Sequence, residues 1–182
     1  MAARTVPENL AGLSRIMAWL SGAGLFLCPL IVGAAFLIPG GHSDWYLGET
    51  HLQEMLKGNI PLPYRLGALA FEAAPTAFIM WGLWSLRRLF LRYAANDVFS
   101  NETLRCLNNV AVALFAQVIV SFAVQAPVSL LLTWPRGTGH RAISLALGSD
   151  DFGSLFLAGV VLVIARVMAV ARRMADENES FV

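Results

Sequence analysis

Residues 16–38 read IMAWLSGAGLFLCPLIVGAAFLI, an apolar run without a single charge, closed by Pro39, Gly40 and Gly41. A bilayer core of about 30 Å takes about 20 apolar residues at about 1.5 Å of rise each, and this run supplies them. Where water is absent every backbone amide must find its partner within the segment, so a run of this kind crosses a membrane as an α-helix. A cleaved signal peptide is the competing reading, because Arg4 and Arg15 precede the run and Val32-Gly33-Ala34-Ala35 offers small residues for a cleavage site. The apolar core is too long for it, since such cores usually run about 7 to 15 residues.

Three further stretches meet the same length criterion. One runs over 66–84 and is apolar except for Glu72; one runs over 110–132, interrupted by Gln117 and Gln125; the last runs over 152–170 and holds Arg166 near one end, where a long side chain can reach back to water. Pro29, Pro75 and Pro127 lie inside spans, where neighbouring groups can satisfy the freed carbonyl, so they predict kinks and not helix ends. The fold class is all-α: an integral membrane four-helix bundle of one domain over residues 1–182. The whole chain agrees, with 57% hydrophobic residues, 14% charged residues and a mean hydropathy of +0.63. A small soluble domain has too little interior to hide that much apolar surface. The net charge of +1 leaves no global field to recruit nucleic acid. Cys28 falls within a span and Cys106 beside a helix start, at different depths, which argues against a disulfide.

Short loops rich in Lys and Arg stay in the cytoplasm. Of the 13 basic residues, Arg4, Arg15, Arg87, Arg88, Arg92, Arg105, Arg166, Arg172 and Arg173 fall on one side, and Lys57, Arg65, Arg136 and Arg141 on the other. Trp45, Tyr46, Tyr64 and Trp134 stand as interfacial anchors on the second side. Both termini are therefore expected to be cytoplasmic. In the first outer connection, Leu52, Met55 and Leu56 share a helical face and Gly58 can cap it, which suggests a short amphipathic helix. The second outer connection, 133–151, is rich in Gly, Pro and Ser and reads as irregular, with a helical turn at most over 142–147. On the inner side, Leu86, Leu89, Phe90 and Tyr93 prolong the second helix past the membrane to a stop near Asn96-Asp97. Ser100 then caps the third helix, with Glu102 and Thr103 in its first turn.

The segment from Leu86 through Arg87-Arg88-Leu89-Phe90 to Val98-Phe99-Ser100-Asn101-Glu102-Thr103-Leu104-Arg105, and the ending Ala171-Arg172-Arg173-Met174-Ala175-Asp176-Glu177-Asn178-Glu179-Ser180-Phe181-Val182, resemble the bacterial membrane proteins grouped as DUF2975. Those proteins have four helices, a Phe-Ser turn after the second, and an acidic, Asn-containing tail with an apolar end. Where Gly commonly precedes that turn, this chain has Asn96-Asp97-Val98. The resemblance implies a bacterial inner membrane and no established activity. It also implies association, for some members, with small helix-turn-helix regulators.

Glu72 lies about two turns inside the second span, and Gln125 reaches a similar depth on the third, within hydrogen-bonding prospect. An ionisable group so placed is a functional candidate for proton or cation handling. Against this stands a protonated or hydrogen-bonded glutamate that only holds helices together. Gln117, Ser121 and Gln125 recur every fourth residue on one helical face, and Arg166 and Gln117, each about two turns from the inner surface, allow an inner polar layer; interhelical hydrogen bonding explains the stripe without a substrate.

Arg87, Arg88 and Arg92, with Phe99 and Ser100, could face anionic headgroups or a protein partner, and Asp176, Glu177, Asn178 and Glu179 could pair with them or with a basic partner. Topology alone accounts for most of the arginines, and a solvated terminus for the tail. His42, Asp44, Glu49, His51 and Glu54 lack metal-ligand spacing, so no metal and no cofactor are expected. No phosphate loop, HExxH or nucleophile elbow is present, which argues against an enzyme. Small residues at fourfold spacing, Ser14, Ala18 and Gly22 or Ala70 and Ala74, allow close packing within one chain or in a homo-oligomer.

Overall fold

A computed structural model of the chain describes residues 8–38, 60–95, 97, 100–136, 143, 145 and 149–180. Among these the regular structure is helical: α1 (Glu8–Leu37), α2 (Leu62–Ala94), α3 (Asn101–Thr133), a single 3-10 turn (Trp134–Arg136) and α4 (Ser149–Ser180). Each of the four helices is long and apolar enough to cross a membrane. The expected amphipathic helix before α2 and the loop residues His42 to Glu54 lie outside the described residues, as does most of the turn expected over 142–147.

The helices are longer than the apolar spans alone require. The 33 residues of α2 measure about 50 Å at about 1.5 Å each, well over the hydrocarbon thickness. Pro61 and Pro63 suit its start, because proline lacks an amide proton that the first turn could not use. Pro29, Pro75 and Pro127 sit inside α1, α2 and α3, and none ends its helix.

Packing follows chain order, α1 on α2, α2 on α3 and α3 on α4, while no comparable packing joins α1 to α4 among the described residues. The row is open and does not close into a square. At one end Val32 and Phe36 of α1, Ile60 and Ala68, and Val124, Val128 and Leu132 of α3 form a core. At the other end Leu89 of α2, Cys106 and Leu107 of α3, and Ala165 of α4 form a second. The α1 and α2 backbones run antiparallel, with Gly22 beside Arg87 and Gly24 beside Leu83. So do those of α2 and α3, with Gly67 beside Leu131 and Gly82 beside Ala113. At Gly82 an added Cβ would come within 3.2 Å of the Ala113 methyl, so the missing side chain is what lets α2 and α3 approach. Ala18 is buried as its spacing suggested, whereas Ala70 and Ala74 are exposed and lie away from these contacts.

The outward surface is apolar. Trp19 and Phe26 on α1 are each 79% exposed and Phe156 on α4 is 76% exposed, values suited to side chains solvated by lipid. Both cysteines are free thiols, Cys28 half-buried and Cys106 buried.

Candidate functional site

The N-terminal end of α1, the α2–α3 elbow and the C-terminal end of α4 meet at one end of the row. Arg15 lines a cavity with Ala94 and Ala95, and Met168 packs on the core built by Leu89 and Cys106. The elbow there is tightly built. α2 closes with the Ala95 amide donating to the Leu91 and Arg92 carbonyls, and the Asp97 amide also donates to Arg92. Ser100 adopts an extended backbone (φ −73°, ψ 155°), and its Oγ accepts the Thr103 amide at 3.2 Å. This is the cap expected from sequence. Thr103, fully buried, donates its hydroxyl to the Asp97 carbonyl at 2.8 Å and lies 3.0 Å from the Ser100 hydroxyl. The Arg92 guanidinium spans the turn, bonded to Asp97 Oδ2 at 2.9 Å and paired with Glu102.

These contacts sort the expected partner-facing residues. Arg92 and Ser100 are engaged in holding the elbow itself. Arg88 lies exposed over the Trp84 ring, its guanidinium carbon 5.3 Å from the centroid. Arg87 is half-buried and rests against α1 at Gly22. Phe99 lies outside the described residues. α4 continues as helix beyond Ala171, where its apolar span ends, through Asp176, Glu177, Asn178 and Glu179 to Ser180, although the side chains of those four residues are not described. Arg173 and Met174 on this extension are exposed.

The mid-membrane polar groups are arranged differently. The pairs Gly67–Leu131 and Gly82–Ala113 set a register that brings Glu72 level with Gln125. Glu72 is half-buried, on a stripe with the buried Ala68 and Thr76, one turn away on either side. The Thr76 hydroxyl bonds back to the Glu72 carbonyl at 2.7 Å, but no hydrogen bond or ion pair reaches the Glu72 carboxyl among the described residues. Gln117, Ser121 and Gln125 are all half-buried and flank the α3 core instead of forming it. Arg166 is exposed on α4, next to the buried Ala165.

One residue has more weight in the structure than in the sequence reading, where it counted only as an outer charge. Arg65 is 4% exposed, and its Nε donates to the Ile60 carbonyl at 3.2 Å. The α2–α3 register sets it level with Thr133, which together with Ser129 forms a buried polar patch at the end of α3. A signal was available. Arginine in the first turn of a helix opposes the positive end of the helix dipole, so its presence there needs a tertiary reason.

Chemically the described residues offer a lone carboxyl at membrane depth, a buried guanidinium, and an arginine-bearing end fixed by hydrogen bonds. They do not bring a nucleophile, a base and an orienting group together. In comparison with known proteins, the chain belongs to the DUF2975 family: the family model, described as a protein of unknown function, matches residues 30–182. No curated protein and no solved structure matches it.

Proposed function

We propose that this DUF2975 protein is a non-enzymatic, multi-pass protein of the bacterial inner membrane that holds a cytoplasmic protein at the membrane surface. Its elbow and the α4 extension form the docking face. The observation that carries this reading is the length of α4, which stays helical from Ala171 to Ser180 after its apolar span has ended. Those residues are not needed to cross lipid, and they lie at the end of the row where the elbow is held fixed. Seven described arginines, Arg15, Arg87, Arg88, Arg92, Arg105, Arg166 and Arg173, belong to this end, which supports a cytoplasmic placement of both termini. A small helix-turn-helix regulator is the class of partner the resemblance implies.

Affinity purification from detergent extracts, comparing the full chain with one ending at Ala171, tests the proposal. The full chain is expected to retain a stoichiometric cytoplasmic partner that the shortened chain loses. Equal retention by both, or no partner with either, removes the reading.

A second reading rests on Glu72, whose carboxyl lies at membrane depth, level with Gln125, without a bonded partner among the described residues. It makes the protein a small proton, ion or solute transporter or channel subunit. Proton flux in proteoliposomes should then fall at least about tenfold in Glu72→Gln, as for loss of an essential proton carrier. Unchanged or absent flux counts against it.

A further inference from the structure

The groove between α1 and α2 at the elbow end has a composition unlike the rest of the membrane-facing surface. Its α1 wall is the stripe Arg15, Ala18, Trp19, Gly22, Ala23 and Phe26, and its α2 wall contributes Arg87 and Leu91, with Ala94 and Ala95 at its mouth. This open groove has a volume of about 520 Å3, within the range of about 300–1,000 Å3 common to small-molecule sites. Two helices packed only to fill space would leave no such volume. The side chains that would fill it are small on one flank, while Trp19 and Phe26 stand outward as its lips.

Charge identifies the occupant. Arg15 and Arg87 line the same cavity, and neither has an ion pair or hydrogen bond among the described residues, unlike Arg92 and Arg65. Arg87 lies against Gly22. A Cβ at that position would stand 3.5 Å from its Nε and 3.6 Å from its Cδ, ordinary contact distances, so the arginine side chain covers the α1 backbone there. Arg15 is level with the last residues of α2, and Arg87 lies about two turns deeper, a spacing of about 10 Å. Two cations along the upper part of the groove therefore lead to an apolar slot at Ala23 and Phe26 that runs along the helix axes. A free phosphate would satisfy the cations and leave the slot empty, and a peptide would need polar partners that the slot lacks.

We propose that this groove is a binding site for one anionic glycerophospholipid, its phosphodiester held by Arg15 and Arg87 and one acyl chain lying along Ala23 and Phe26. The site does not depend on the partner-docking reading, and it would operate in a chain that binds no protein.

The test uses the full-length protein, delipidated in a neutral detergent and titrated with phosphatidylglycerol or with phosphatidylcholine of the same chains, bound lipid being counted by native mass spectrometry. Phosphatidylglycerol is expected to bind at least about tenfold more tightly. Arg15→Gln with Arg87→Gln should abolish that preference, and Arg15→Lys with Arg87→Lys should keep it. Ala23→Leu, which retains both charges but fills the slot, should weaken binding to a similar degree. Arg105→Gln, an exposed cation outside the groove, should change nothing. Circular dichroism checks that each variant stays helical, and should the glutamine pair unfold, the Ala23→Leu and lysine variants decide alone. Equal affinity for the two lipids overturns the proposal, as does undiminished phosphatidylglycerol affinity in Ala23→Leu. Displacement of lipid by millimolar inorganic phosphate, or a dimer that excludes lipid and is lost in Ala23→Leu, overturns it too.

Discussion

Thr103 is expected to matter more to the elbow than the two ion pairs of Arg92. The Arg92 side chain is 33% exposed and its partners Asp97 and Glu102 are 40% and 63% exposed, so solvent screens both pairs. Bridges of this kind contribute about 0.2–1 kcal/mol, and Arg92→Ala should cost about 0.5–1 kcal/mol in local stability. Thr103 is completely buried, and its hydroxyl is bonded to the Asp97 carbonyl. Thr103→Val keeps the shape but strands that acceptor and removes the contact with Ser100, a loss of about 2 kcal/mol. Cys106, one turn along α3 and 9% exposed, reports on the difference. With Cys28→Ser removing the other thiol, the rate of maleimide labelling at Cys106 measures opening of this end of the helix row. Thr103→Val should accelerate labelling about thirtyfold and Arg92→Ala about two- to fivefold, from about 1.4 kcal/mol per factor of ten. Half-molar salt should erase the Arg92 effect and leave the Thr103 effect in place. Labelling that rises as much in Arg92→Ala as in Thr103→Val would refute the reasoning, because charge and not the buried hydroxyl would then be holding the turn.

Three other outcomes follow from the same geometry. Gly82→Leu should destabilise the α2–α3 contact by about 1–3 kcal/mol, read as a lowered unfolding temperature in detergent, and Gly82→Ala paired with Ala113→Gly should recover most of the loss of Gly82→Ala alone. Arg65→Ala should cost about 2–3 kcal/mol because it strips the buried Ile60 carbonyl of its charged donor, while exposed Arg105→Ala should stay within about 0.5 kcal/mol in the same melt; equal effects would contradict the burial of Arg65. Alkaline phosphatase fused at either terminus should be inactive and fused after Trp45 active, the reverse of what an outward-facing elbow would give.

The sequence carried the membrane-spanning character of the chain without help. Lipid imposes one strong condition, that backbone polar groups pair locally, and a long uncharged run can meet it only as a helix. That condition acts through composition alone, so four helices long and apolar enough to cross a membrane were legible, and Ser100 as a cap, from nearest-neighbour chemistry. Relations between distant residues were not legible in this way. Nothing local in Gly22 says that Arg87 lies across it, nothing in Arg65 reveals its burial beyond an awkward place at a helix start, and nothing in Arg166 says that it is exposed. The rotation and register of each helix are set by side-chain packing against its neighbours, and in a chain that is apolar all round the hydrophobic pattern does not mark an inner face. Only the tertiary structure, through contacts such as Gly82 against Ala113, decided which polar groups share a level and which meet.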